Sequence, residues 1–455
     1  MNKVRIGGGQ GFWGDSNDAA IHMMKKGSLD YMACDYLAEL TLSIMARQKL
    51  KNPQRGYAND FIGLFECVAQ DSYREHIGIL TNAGGMNIPG AVEACRQICQ
   101  EQKLKGYRIG YVTGDDVKDS LSGLIKEGMK FENLDNRELK IEDILPSVVN
   151  ANVYYGHEPV LECLNENADL VLTGRATDSA LFLAPIMKKL GWDAFDSDKL
   201  ARGIMAGHLL ECGGQGSGGN FQYDWRSVPD MDRLGFPIAE VTDDYLHITK
   251  APDCGGLISE QTCKEQFLYE VHDPENYITP DVTVDISKAR ITGIGKDLVE
   301  ISHIRGKKKP DKLKLSIGYH AGYKVVTYLS FAWPDAYEKA QYAGEIIMKK
   351  MKRKGLRAEE IRIDYVGLNA LHLDVAEISE GLCKNMNEVI LRIAIRTVSK
   401  EEAYKLVPEI APLQLNGPPG ASFFGGRSRV EEVIGLWPTL IDRRALNLQS
   451  HIIEI

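Results

Sequence analysis

Ala206-Gly-His-Leu-Leu-Glu-Cys-Gly-Gly-Gln-Gly-Ser-Gly-Gly-Asn-Phe221 sets the reading of this chain. An apolar approach runs into a turn that holds Gly213, Gly214, Gly216, Gly218 and Gly219. A glycine admits backbone conformations and close approaches that a Cβ blocks, and it costs conformational entropy on folding. So dense a run in a packed chain points to a backbone cradle for a ligand, with Glu211, Cys212, Gln215 and Ser217 aimed into it. A flexible surface loop is the alternative. The His-Leu-Leu-Glu-Cys approach argues against it, because linkers are polar on both sides.

Outward from that turn toward the N-terminus, one pattern repeats: an apolar strand, a glycine-rich polar turn, a helix. Strands are expected at 3–7, 29–34, 77–80, 107–112 and 168–172. Helices are expected at 16–26, 39–50, 59–73, 91–102 and 180–190. Repeated units of this kind call for a mostly parallel sheet with flanking helices. The expected fold class is therefore α/β. A Rossmann-like domain with glycine-rich loops covers residues 1–222. A smaller α+β region packed on it covers 223–455, where Pro, Asp and Trp increase and β-branched runs alternate with polar residues. In open α/β sheets ligands bind outside the carboxyl ends of the strands. Those ends carry Gly11, Asp15, Asp35, Asn82, Asp115, Asp116, His157, Glu158, Arg175 and Asp178, and then the cradle itself.

The first turn permits a second reading. Gly9, Gly11 and Gly14 fit Gly-x-Gly-x-x-Gly between a strand and a helix, and Asp35 lies where a dinucleotide fold keeps its ribose carboxylate. NAD is the cofactor of that reading; otherwise the cofactor is unknown. Asp15 counts against it, because a capping carboxylate takes the amides that a pyrophosphate needs and repels that anion. Trp13 also puts a bulky ring in a turn meant for close approach.

Composition narrows the classes. The 455 residues are 44% hydrophobic and 26% charged, as in an ordinary globule, and the net charge of -9 argues against a nucleic-acid footprint. Neither an apolar signal core nor an 18-residue apolar run is present, so the expectation is a cytoplasmic protein without a membrane partner. The nine cysteines are scattered, with no Cys-x-x-Cys pair, and read as thiols of a reducing compartment. No metal is expected: His157, Glu158 and His320 lack ligand spacing. No Gly-x-Ser-x-Gly elbow or Gly-Lys-Ser loop is present. Residues 299–303 and 313–319 read as a hairpin around the basic turn Arg305-Gly-Lys-Lys-Lys-Pro-Asp-Lys312, a solvated tip or a contact for ligand phosphates. His320 follows beside a glycine and is taken as a ligand contact.

Several blocks together resemble the acyclic terpene utilisation family AtuA. They are Gly11-Phe-x-Gly-Asp15, Asp35-Tyr-Leu-Ala-Glu39, Thr81-Asn-Ala-Gly-Gly85, Gly114-Asp-Asp116, Thr173-Gly-Arg175, the cradle stretch, Glu265-Gln-Phe-Leu-Tyr-Glu-Val-His-Asp-Pro274 and Thr279-Pro-Asp-Val282. Gly174-Arg-Ala-Thr-Asp-Ser179 departs from the usual block, which has a proline after the aspartate. The resemblance implies breakdown of branched, terpene-derived acids as coenzyme A thioesters. Many members also carry a C-terminal ferredoxin-like domain with an Arg-Ser-Gly-Asp-Lys-Gly block, which is absent here. The chain then looks like a large subunit, with a small ferredoxin-like partner subunit supplied separately and a homo-oligomer as the assembly.

The residues suggest the chemistry. Arg175 is an anion clamp, or else a structural salt bridge to Asp178. Glu211 and Asp178 are candidate general bases, since burial raises a carboxyl toward working pH. Cys212 is a candidate nucleophile if His208, four residues earlier, supplies the base. Gly11, Asp15, Asn82, Asp115, Gly213, Gly214, Gln215, Ser217, Gly218 and His320 are the candidate substrate contacts. The expected function is acid/base catabolism of a branched carboxylic acid or its thioester, by a lyase, hydratase or isomerase. The alternatives are an NAD(P)-dependent oxidoreductase and a non-catalytic large subunit that binds a ligand and a small partner.

Overall fold

The computed structural model describes residues 2–455. The chain forms two compact units, Met1–Gly318 with Leu436–Ile455, and Tyr319–Gly435. The boundary expected at 222 falls inside the first unit, because strands on both sides of it share one sheet.

That sheet has ten strands: β1 (Val4–Gln10), β2 (Tyr31–Cys34), β3 (Gly78–Thr81), β4 (Arg108–Thr113), β5 (Leu170–Leu172), β6 (Pro237–Val241), β7 (Leu246–Lys250), β8 (Arg290–Gly295), β9 (Leu298–Ser302) and β10 (Gln449–Glu454). Their order is β8-β9-β7-β6-β1-β2-β3-β5-β4-β10. From β1 to β4 across the sheet, neighbours pair parallel. Both wings are antiparallel: β6 pairs β1, and β10 pairs β4. The expected parallel sheet is therefore only the middle of the real one. Past residue 222 the chain turns back in hairpins, which short loops can close, whereas parallel pairing needs a long crossover. The order also departs from the 3-2-1-4-5-6 of a dinucleotide-binding sheet.

Side chains of the parallel strands alternate between two cores, as a period of two requires. Met32, Cys34, Ile79, Leu170 and Leu172 pack with the helices Asn17–Lys26, Asn59–Glu75 and Ile88–Glu101. Ala33, Leu80, Val112 and Val171 pack with Glu158–Asn165, Ala180–Leu190 and Ser197–Leu210. Right-handed crossovers explain the split. Steps from β1 through β4 run one way across the sheet and put their helices on one face. The step back to β5 reverses direction and puts the later helices on the other. The turn after β1 and the end of Ser197–Leu210 thus reach the same rim from opposite faces.

The hairpin expected around 305–312 does not form. β9 pairs instead with β8 and β7, matching Ile301 to Ile291 and to Leu246. The basic turn is neutralised locally. Arg305 meets Asp198 at 2.7 Å, Lys307 meets Asp285 at 3.4 Å, and Lys309 meets Glu158 at 2.8 Å.

In the second unit, residues 319–332 of the strand Lys312–Ala332 form an antiparallel sheet with the strands Glu360–Val366, Glu388–Thr397 and Ala421–Phe423. Numbered in chain order, they lie 2-3-1-4. Helix Ala336–Arg353 links the first two, and short helices from Lys400 to Asn416 link the last two. This is the β-α-β-β-α-β order of a ferredoxin-like unit. Val325, Leu329, Phe331, Leu391, Ile393 and Ile395 pack under Ala340, Ala343 and Ile347 of the helix. The second unit thus has a ferredoxin-like strand order, without the Arg-Ser-Gly-Asp-Lys-Gly block of the expected partner domain. No helix among the described residues is long and apolar enough to cross a membrane.

Candidate functional site

The first turn and the glycine cradle meet. A Cβ on Gly11 would lie 2.7 Å from the carbonyl carbon of Cys212 and 3.0 Å from the amide nitrogen of Gly213. Only glycine allows backbone to press on backbone at that distance. The cradle is a buried 3-10 turn, Gly213–Ser217, closed by Gly218 at φ +98. Ser217 ties it down by donating to the carbonyls of Gly214 and Gly235. Between the two turns lies a cavity of about 800 Å3, lined among others by Gly11, Asp15, Cys212, Gly214, Gln215 and Tyr269.

The cavity lining is acidic. Asp15, Asp18, Asp232 and Asp253 line it, against Arg233 and His22. Arg233 is already paired to Asp230 at 2.8 Å, and the His22 ring bonds the Pro252 carbonyl at 2.7 Å. Asp15 accepts the amides of Gly11 at 3.0 Å and Ser16 at 2.7 Å. Burial raises its carboxyl above the usual range, and those amides oppose the rise.

Beside the cavity lies a buried polar cluster built from three other turns. Arg175, 2% exposed, sends one guanidinium nitrogen to Asp178 at 2.5 Å and another to the Leu37 carbonyl at 2.5 Å. Its guanidinium carbon sits 4.2 Å from the centre of the Tyr154 ring, which Lys314 also approaches at 4.6 Å. Asp35 is buried behind it. Burial and then the charge of Asp178 push the Asp35 carboxyl well above the usual carboxylate range, against Arg175, Asn82 and the Leu37 amide. Glu39 is the contrast: despite burial, its 2.6 Å bond to Lys314 brings it down to about 2.

Glu211 caps the helix Ser197–Leu210 where the cradle begins. Its Oε1 lies 3.1 Å from Nδ1 of the buried His208. Burial raises the Glu211 carboxyl; His208 lowers it, and Asp178 and Glu270 add to the rise. The turn at 173–179 adjoins this helix, because Gly207 leaves room for the Ser179 backbone at 3.0 Å from where its Cβ would be. The turns 9–15, 173–179 and 211–219 therefore converge on one rim.

Other candidates turn inward. Asn82 spends its side chain on the Tyr36 amide at 2.8 Å and on the Asp35 carboxylate. Asp115 accepts the Arg175 amide at 2.8 Å and Asn152 at 2.9 Å, so it braces the turn that carries Arg175. Both were expected to meet substrate. As buried polar groups, each is satisfied by protein instead. Gln215 donates to Gln266 at 2.9 Å, and Gly218 leaves room for Val228. His320 belongs to the second unit, where its ring meets Tyr323 edge-on at 5.0 Å.

The Cys212–His208 pairing is not made. His208 bonds Glu211, and burial with the nearby Glu211 raises the Cys212 thiol, which disfavours the thiolate. A dinucleotide does not fit the first turn. Gly9 lies within β1, where its missing Cβ makes room for Cys34 and Met32, while Gly14 only relaxes the turn at φ +105. Asp15 fills the Gly11 amide, and Asp35 is turned into the interior. Among the described residues, no group of three or more His, Cys, Asp or Glu is placed to hold a metal ion.

Three pairings were not legible in the sequence. Tyr154 stacks on Arg175, and the Tyr277 hydroxyl lies 3.5 Å from His208 Nδ1. Buried His157 meets Asp281 at 2.8 Å. A lone Tyr or Asp in a polar stretch carries no spacing signal, and each partner is far away in the chain.

With this geometry in place, the comparisons can be read. The family model described as Acyclic terpene utilisation family protein AtuA matches residues 4–452, nearly the whole chain, so the chain belongs to that family. No curated protein matches it.

Proposed function

From membership of that family as premise, we propose that this chain is a catabolic enzyme that moves a proton on a branched acyl thioester held in the cavity beside Gly11, Cys212 and Gly214. The observation that carries the reading is the placing of Asp178 between Arg175, which it shares with Asp35, and Glu211, on which its charge acts. Burial and the charge of Asp178 raise both Asp35 and Glu211, which favours their protonated forms. Carboxyls whose environments push them apart supply an acid and a base at one pH.

In this reading Glu211 takes a proton from carbon next to the thioester carbonyl. The C–H electron pair passes onto the carbonyl oxygen as an enolate. Glu211, now protonated, returns a proton at the same or a conjugated position, or to a departing group. Isomerase, hydratase and lyase outcomes share that first step. The acidic cavity lining favours a thioester over a free acid, because a carboxylate would enter against Asp15, Asp18, Asp232 and Asp253.

The test is exchange. The purified chain is incubated in deuterium oxide with a panel of branched acyl thioesters and the matching free acids, and deuterium on recovered substrate is read by mass spectrometry. Exchange on a thioester is expected, falling on the order of 10²–10⁴-fold in Glu211→Gln. Equal exchange in Glu211→Gln and wild type would remove Glu211 from the role.

A further inference from the structure

His208 is the one histidine buried at the rim of the proposed site, and its two ring nitrogens are treated differently. Nδ1 lies 3.1 Å from Oε1 of Glu211, with the Tyr277 hydroxyl 3.5 Å away on the same nitrogen. Nε2 is buried with no hydrogen-bond partner. The Tyr277 ring covers the imidazole at 5.3 Å between centroids. From the other side, Gln266 donates to the His208 carbonyl at 2.9 Å and accepts from Gln215 of the cradle. Buried N–H groups without an acceptor are rarer than buried acceptors without a donor. The tautomer that fits places the hydrogen on Nδ1, donating to Glu211, and leaves a lone pair on Nε2.

We infer that His208 is a positioning residue: its Nδ1–H holds Oε1 of Glu211 and leaves Oε2 as the oxygen that takes the substrate proton. The inference rests on the role proposed above for Glu211. It goes further by assigning the two carboxyl oxygens separate tasks. The bond persists in both states, because Oε1 accepts whether or not Oε2 is protonated. The carboxyl therefore keeps its orientation through the transfer, where a small misplacement would be costly.

Other charged groups also face Glu211: Asp178 from the 173–179 turn, Glu270 from the segment after helix Glu260–Leu268, and the neighbouring Cys212 thiol. Tyr277 and Tyr269 are further titratable neighbours: burial followed by the Glu211 charge raises Tyr277, and Glu270, burial and Glu211 raise Tyr269. His208 is the only one of these that favours the ionised carboxylate.

The experiment follows the Glu211 titration directly, without substrate. The full chain is labelled with carbon-13 glutamate, and the protonated carboxyl band is followed by pH-difference infrared spectroscopy. The Glu211 band is identified by its loss in Glu211→Gln. In His208→Phe, which keeps a ring and removes the donor, the midpoint should rise by about one to two pH units, the worth of one hydrogen bond to a charged group. His208→Asn, whose amide can stand where Nδ1 stood, should bring it back toward wild type. His208→Gln, whose amide reaches the Nε2 position, should behave like His208→Phe and replaces it if that variant does not fold. A midpoint unchanged in the Phe and Gln variants, or an Asn variant that tracks them, overturns the inference. The two readings fail separately: full exchange activity in Glu211→Gln defeats the proposed reaction and leaves the titration result standing.

Discussion

Replacing Arg175 with methionine tests the charge balance of the cluster. Methionine fills similar volume with no donor, so the perturbation removes one positive charge from among Asp35, Asp178 and Glu39. The ion pair to Asp178 has a 2.5 Å N–O contact, and only 28% of the Asp178 side chain is exposed. With charge centres about 4 Å apart, an effective dielectric of 20 gives an attraction of about 4 kcal/mol. Leaving the partner carboxylates uncompensated in a buried site costs about 3–5 kcal/mol in comparable cases. We expect a loss of that size near pH 8.

The pH dependence is the sharper signature. The Asp35 carboxyl already stands well above its usual range through burial and Asp178, and Arg175 holds it down. Without Arg175 it rises further. A group whose folded-state value is raised contributes stability that is fully present below the unfolded value, near pH 4, and is lost as pH climbs through the folded one. The Arg175→Met deficit should therefore be smaller at pH 5 than at pH 8. Urea denaturation at both pH values, with the m-value checked for constancy, measures it. Asp178→Asn in the same background should recover part of the loss at pH 8. A deficit below about 1 kcal/mol, the range of an exposed pair, or one that does not change with pH, would refute the reasoning.

Two further outcomes are expected. Gly11→Ala would set a methyl group 2.7 Å from the Cys212 carbonyl carbon and 2.9 Å from its oxygen, both backbone atoms. Parting the two turns should cost about 1–3 kcal/mol in urea melts and lower thioester exchange, whereas an unchanged midpoint would mean the turns do not touch. Cys212, raised by burial and Glu211, should react with iodoacetamide at pH 8 more slowly than the exposed Cys67, and Cys212→Ser should keep its exchange activity. Preferential labelling of Cys212 would restore it as a nucleophile.

The strand-turn-helix rhythm of residues 3–190 was legible in the sequence because apolar periodicity and glycine turns are local signals. The gathering of the strand-end turns was expected from the parallel sheet, but the close approach of Gly11 to the cradle is visible only in the structure. Asp15 was read as the cap of the following helix; that cap is Ser16, and Asp15 instead accepts the amides of Gly11 and Ser16. Past residue 222 the sequence misled. Alternating polar and β-branched runs do not say which strand they will pair with, so β9 was matched to 313–319 and not to β8. The ferredoxin-like order of the second unit was equally hidden, since it depends on which strand lies between two others.

The sequence by itself determined which residues stand at strand ends, and therefore which could meet a ligand. Only the tertiary structure decided which of them turn inward. Asn82 and Asp115 became braces, Arg175 became the balance of a buried acid cluster, and His208 was given to Glu211 and denied to Cys212. The physical reason is that a polar side chain at a crowded rim bonds the nearest unsatisfied group, and nearness across the sheet is set by crossovers and packing, not by spacing along the chain.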